Sequence, residues 1–151
     1  MKARISSRNR QRASQRRGAE RRRIRALFVD DSAFIVESLG SFFEQQEGFE
    51  VVGIAETGLE AVDRVAELRP DLVLMDIRMP GMDGLEATRR IKAREDAPVV
   101  IMFTLEDSEG VRARAKSAGA DDFVAKAPQG WDPLAAALRR AFPGVKVEGR
   151  K

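Results

Sequence analysis

The chain has 151 residues, 27 Lys or Arg against 24 Asp or Glu for a net charge of +3, and neither cysteine nor histidine. That length is one domain's worth; the missing cysteines exclude disulfides, thiolate metal sites and thiol nucleophiles, and the missing histidines remove the commonest general base, the commonest metal ligand and any self-phosphorylating histidine. No apolar run approaches a membrane span and the N-terminus lacks a signal peptide's apolar core, so a soluble, cytoplasmic protein is expected.

Residues 1–23, MKARISSRNRQRASQRRGAERRR, lack apolar periodicity and repel themselves, so they read as a basic tail, disordered in isolation. Residues 1–25 carry eleven Lys or Arg and one acid, whereas the remainder carries 16 bases and 23 acids. The high isoelectric point therefore belongs to the tail, and the rest is a mildly acidic domain. Two readings of the tail stand: a solvated extension, or an electrostatic contact with nucleic acid, an anionic membrane or an acidic partner.

From Ile24 onward short apolar runs alternate with segments of helical period. The first run, IRALFV at 24–29, leads into a helix over 32–47 with Ile35, Leu39, Phe42 and Phe43 on one face and Gly48 to end it. The second, FEVVGIA at 49–55, precedes a helix opened by Thr57 and Glu60, a capping-box pair; it carries Leu59, Val62, Ala66 and Leu68 and stops before Pro70. DLVLM at 71–75 is followed by a shorter, more polar helix over 84–94 with Leu85, Thr88 and Ile91 inward. VVIMFT at 99–104 is followed by a helix over 108–118 that has little to bury beyond Val111, Ala115 and Ala118, with Gly119 ending it. DFVAK at 122–126 is followed by a helix with Asp132 as N-cap and Pro133 at its first position, Leu134, Leu138 and Phe142 inward, and Pro143-Gly144 as its stop. Five strands alternating with five helices predict an α/β domain over 24–142 with a parallel sheet, followed by a short polar end at 143–151 and no output domain.

In an open parallel sheet, ligands bind beyond the carboxyl ends of the strands. The polar residues there are Asp30 and Asp31 after the first strand, Asp76 after the third, Thr104 ending the fourth and Lys126 ending the fifth. Singly each has a bland reading: a helix cap, a loop start, a last strand residue, a solvated charge. Their convergence on one edge changes that, because three carboxylates raise one another's pKa unless something neutralises them. With no sulfur or imidazole to contribute, the oxygen donors favour Mg2+. An aspartate beside Mg2+ and a lysine is poised to attack phosphorus, giving an aspartyl phosphate, with Thr104 donating to one phosphoryl oxygen and Lys126 pairing with another.

Four segments carry a family resemblance: the acid pair in FVDDS, the stretch DLVLMDIRMPGMDG, the threonine ending VVIMFT, and AGADDFVAK. They lie in order and at family spacing over roughly residues 24–142, and by them the chain resembles the receiver domain of bacterial two-component response regulators, in particular the single-domain, chemotaxis-regulator-like members. Chemotaxis receivers are themselves an instance of the strand-end rule applied above. The resemblance implies a flavodoxin-like, doubly wound sheet of order 2-1-3-4-5. It implies that Asp76 accepts a phosphoryl group from the phosphohistidine of a sensor histidine kinase or histidine phosphotransfer protein, and that Lys126 holds that group. It further implies Mg2+ on Asp31, Asp76 and the backbone carbonyl of Arg78, with Asp30 supporting through water. Thr104 and Phe123 would be the switch, with a downstream protein reading the face of the fourth helix, fifth strand and fifth helix. On this reading the chain is not an enzyme, promoting only phosphorylation and dephosphorylation of its own Asp76.

Some positions depart from the family pattern. Leu105 follows Thr104 where a small residue is usual, and Ala127 follows Lys126 where proline is common, so that any cis bond would fall at Ala127-Pro128. Arg78 and Glu106 occupy positions that tune phosphate lifetime in the family. Of the rival readings, an aspartyl-phosphate hydrolase requires a DxD motif that FVDDS lacks, and a degenerate scaffold receiver conflicts with five intact site residues. A receiver whose tail, residues 1–25, adds nucleic-acid or membrane binding as output is the alternative.

Overall fold

The apolar runs become five parallel strands: β1 (Ile24–Val29), β2 (Phe49–Ala55), β3 (Leu72–Met75), β4 (Val99–Thr104) and β5 (Asp122–Ala125), in the order β2-β1-β3-β4-β5. This computed structural model describes residues 22–126 and 131–149. Residues 1–21 of the basic tail, the Ala127-Pro128 bond and the last two residues lie outside that range. Among the described residues, no helix is long and apolar enough to cross a membrane.

Both faces of the sheet are covered, which is why its inner strands are apolar apart from Arg25 near the start of β1 and Thr104 at the end of β4. Ile24, Ala26 and Phe28 of β1 join one core with Leu72, Leu74, Ile101 and Phe103, while Leu27 and Val29 join a second with Val73, Met75, Val100 and Met102. The period of two thus splits each strand between two helical layers. Helices α1 (Ala33–Glu44) and α5 (Asp132–Ala141) close the first face, and α2 (Gly58–Leu68), α3 (Gly84–Lys92) and α4 (Glu109–Ala118) close the second. The first core is rich in rings, Phe28 against Phe43 at 5.2 Å and Phe42 against Trp131 at 5.4 Å between centroids.

Helix starts follow their caps. Ser32, Thr57, Asp83 and Ser108 each accept a hydrogen bond from the backbone N–H three residues on. The Thr57–Glu60 pair forms half of the capping box: Thr57 accepts the Glu60 N–H at 3.1 Å, but the Glu60 carboxylate reaches one residue past the N-cap, to the Glu56 N–H at 2.8 Å. Three expectations shift. Helix α1 stops at Glu44, because the Gln45 and Gln46 N–H groups close back on Phe42 and Phe43, and Gly48 sits past it in the turn into β2. The inward side of α2 is Gly58, Ala61 and Val65, flanked by Val62 and Leu68, which leaves Leu59 and Ala66 outward. Helix α5 begins one residue earlier than expected: Trp131 is the flanking residue, held in the ring cluster, and Asp132 is already helical.

The last described residues are tied to the domain. Val147 is buried, its carbonyl accepts from Arg139 Nε and Nη2 at 3.1 and 2.7 Å, and the buried Gln46 side chain bonds both backbone groups of Glu148.

Candidate functional site

Each residue at the strand ends is placed by the last rung of the sheet. The Asp30 N–H donates to the Ala55 carbonyl at 2.9 Å, the Asp76 N–H to Val29 at 2.9 Å and the Lys126 N–H to Thr104 at 2.8 Å. Since β1 and β3 are neighbours whose following connections run to opposite sides, their ends form the crevice that open sheets use. Asp30, Asp31 and Asp76 each offer a carboxylate oxygen there, all within 4.8 Å of one another.

The three acids are not equivalent. Asp30 is 3% exposed and Asp76 7%, whereas Asp31 faces solvent. Asp30 spends one oxygen on the Ser32 N–H at 2.9 Å and the other on Lys126 Nζ at 2.6 Å. Asp76 accepts from the Ile77 N–H at 2.9 Å, and its Oδ1 lies 3.5 Å from Lys126 Nζ. The lysine is therefore closer to Asp30 than to Asp76, which spacing in the sequence could not disclose. Thr104 is buried at 1% exposure, with its hydroxyl accepting the Glu106 N–H at 3.4 Å and lying near enough to the Asp76 carboxyl to lower its pKa.

Charge does not balance. Among the described residues Lys126 is the one cation paired with this cluster of three acids, and it pairs with Asp30 and Asp76 but not with Asp31. Burial pushes the Asp76 carboxyl above the usual carboxylate range, Lys126 opposes that shift, the charge of Asp30 adds to it, and the Thr104 hydroxyl and Ile77 N–H draw it back. An all-oxygen donor set with surplus negative charge and one carboxylate open to solvent suits a hard divalent cation that keeps part of its water. The residues present thus form an acidic pocket that could hold a metal.

The direction of the Asp76 shift fixes a sign. A carboxyl that protonates more readily folded than unfolded loses stability as pH rises from the ordinary carboxylate value through its folded one. In chelator at neutral pH, Asp76→Asn should therefore melt higher than the natural chain, and the gain should vanish in acid where both states are protonated. Thermal melts from pH 3 to 8 check this; an unchanged or lower midpoint at neutral pH contradicts the electrostatic picture.

Glycine at 84 lets α3 reach the site. A Cβ there would collide with the Asp76 carbonyl oxygen, and the Gly84 N–H donates to Ile77 at 2.8 Å. At the rim, Arg78 forms a two-pronged pair with Glu106 at 2.9 and 2.8 Å, joining the segments that follow β3 and β4. The sequence marked both positions but not their pairing. Leu105, 77% exposed, stands beside them. Phe123 is half-buried against the second core, and the Arg112 guanidinium lies 4.5 Å over its ring, itself gripped by Asp107 at 2.6 and 3.2 Å. Arg112 was not among the candidate residues; its five-residue offset from Asp107 is the one trace it leaves in the sequence.

Comparison with known proteins follows the same lines. Residues 26–139 match the model of the response regulator receiver domain. A protein-glutamate methylesterase/protein-glutamine glutaminase of Alkalilimnicola ehrlichii is 45% identical over 106 residues, 69% of this chain and 27% of that protein. The response regulator protein VraR of Staphylococcus epidermidis is 39% identical over 126 residues, 82% of this chain and 59% of that one. The chain thus spans less than two thirds of these relatives. Among solved structures, the response regulator domain of Thermotoga maritima CheB superposes with a TM-score of 0.66 at 40% identity, over 81% of this chain and 90% of that one. A CheX–CheY–BeF3–Mg2+ complex from Borrelia burgdorferi gives 0.69 at 31% identity, over 82% and 90%.

Proposed function

The chain belongs to the response regulator receiver domain family, and we propose that Asp76 is the residue on which it carries its phosphoryl group. Receiver domains are the phosphoryl-accepting switches of two-component signalling, and this chain is one of them. The observation that carries the assignment to Asp76 is its place: a buried carboxylate at the end of the central strand β3, 3.5 Å from Lys126 and clustered with two further acids.

A carboxylate oxygen of Asp76 attacks the phosphorus of a partner's phosphohistidine, forming a P–O bond as the P–N bond breaks, and the leaving imidazole takes up a proton. Lys126, freed from part of its contact with Asp30, pairs with a phosphoryl oxygen, and the Thr104 hydroxyl donates to another. Water later attacks the phosphorus, the P–O bond to Asp76 breaks, and inorganic phosphate leaves. The residues that would hold Mg2+ are Asp31 and Asp76, with the Arg78 backbone carbonyl and Asp30 supporting; the ion supplies positive charge against the transferring phosphoryl group. The Borrelia structure, a complex with BeF3 and Mg2+, supports that choice of ion.

The chain's own chemistry is confined to Asp76 on this reading, and it acts in the cytoplasm. Its donor is a sensor histidine kinase or histidine phosphotransfer protein. The output is a changed contact with a downstream protein through α4, β5 and α5, as Thr104 moves toward the phosphate and Phe123 turns inward from beneath Arg112. Incubation with a small acyl-phosphate donor and Mg2+, followed by intact mass, tests the proposal. One phosphoryl group should add, and it should fail to add in Asp76→Asn or in chelator. Labelling indifferent to either change sinks it.

A further inference from the structure

The side of α1 that turns toward the free edge of the sheet holds a groove that nothing described fills. β2 is an outer strand. Between it and α1 runs a cavity of about 680 Å³ floored by Phe43 and Phe49 and walled by Val36, Gly40, Val51 and Ile54. Val51 and Ile54 are 39% and 42% exposed, on a strand whose outer edge pairs with no other described strand.

Gly40 is the telling residue. It lies in the interior of α1, where glycine weakens a helix relative to alanine. A Cβ at that position would meet no atom within 4 Å, so no internal packing requires the glycine. A missing side chain on the wall of an open apolar groove makes room for something else.

Charge says what the guest is. Glu44, Glu47 and Glu50 line the same groove, all exposed, and among the described residues none has an ion-pair partner. Elsewhere on the surface Glu60, Glu86, Glu106 and Asp107 each hold an arginine. The chain itself enters at this groove: Arg23 lines it, and the Ile24 N–H bonds to Gly48 at 2.7 Å. Immediately before lie residues 1–21, with eight Lys or Arg and one Glu. Helix α1, at 12 residues, is about 18 Å long, and six extended residues at about 3.3 Å each span it.

We propose that residues 1–21 of this chain dock back into the α1–β2 groove, their arginine stems covering its apolar floor and their guanidinium groups meeting Glu44, Glu47 and Glu50. Long basic side chains do both at once. A segment already tethered at the groove's mouth competes at an effective concentration that a free partner rarely reaches. The docked segment withholds the tail's charge from nucleic acid and membranes and caps the open edge of β2.

The absence of native cysteine allows a single nitroxide on the full chain at Ser14→Cys. In low salt, the amide signals of Gly40, Val51 and Ile54 should be lost while the label is oxidised, and those of Ala115 on α4 should persist. The loss should reverse at 1 M salt, where screening shortens to about 3 Å. It should also reverse in Glu44→Gln/Glu47→Gln/Glu50→Gln and, read at Val51 and Ile54, in Gly40→Leu, which fills the groove. Signals at Gly40, Val51 and Ile54 that survive in low salt, or fade equally in the triple variant, overturn the proposal. So does loss transferred to unlabelled molecules in a mixed sample, which makes the occupant a second copy.

Discussion

Gly84→Ala should lower stability by about 3 kcal/mol or more, the upper end of what overpacking costs, and so drop the thermal midpoint by roughly 6–12 °C for a chain of this length. Propensity argues the other way, since alanine is the better helix former by about 1 kcal/mol. Contact decides: the added Cβ strikes the carbonyl of Asp76, and backbone at the end of a central strand cannot swing aside as a side chain could. Gly40→Ala, the same change in a helix where the Cβ meets nothing, should instead raise the midpoint. Paired thermal melts measure both, and equal shifts would mean that α3 does not press on the site strand.

The second large effect is at Lys126. Its ammonium lies 2.6 Å from Asp30, with both side chains under 10% exposed. Lys126→Met leaves two buried carboxylates without a counter-charge, and breaking a buried pair costs roughly 3–5 kcal/mol. Asp31, on the open side of the cluster, lets water and cations reach it. Millimolar Mg2+ should therefore restore far more stability to Lys126→Met than to the natural chain, by the usual linkage of binding to folding. Denaturant titrations with Mg2+ and with chelator decide it; a loss that is identical in both contradicts a shared cation site.

The sheet was legible because each strand is a short apolar run bounded by helical period, and the start of α2 because Thr57 and Glu60 mark it; Ser32 and Ser108, the expected first residues of their helices, are the caps of α1 and α4, while the cap of α3, Asp83, went unread. The errors have local causes. Gly48 looked like a helix stop, yet it serves a close approach, since a Cβ there would collide with Val145 some hundred residues away. Leu59 looked like core by composition, but the packed side of α2 is set by small residues, Gly58 and Ala61, that let the helix approach α3 and the sheet. Trp131 displaced Asp132 as the flanking residue of α5 because its ring belongs to the Phe42 and Phe103 cluster, a tertiary preference over a local one. At the site, strand-end position was enough to gather Asp30, Asp31, Asp76, Thr104 and Lys126. What it could not give was the partition among them: that Lys126 sits on Asp30, and that Arg78 reaches Glu106 across the rim. Such pairings depend on side-chain direction, which no spacing encodes.

The assignment of Asp76 can be read directly by reducing the phosphorylated chain with borohydride, which converts an acyl phosphate to an alcohol and so turns an aspartyl phosphate into homoserine. Trypsin then cuts after Arg64 and Arg78, Pro70 protecting Arg69, and isolates Asp76 from Asp30 and Asp31. Fragmentation of the 65–78 peptide should place homoserine at position 76 and nowhere else. Homoserine at position 30 or 31, or an unmodified 65–78 peptide from fully labelled protein, would contradict the account.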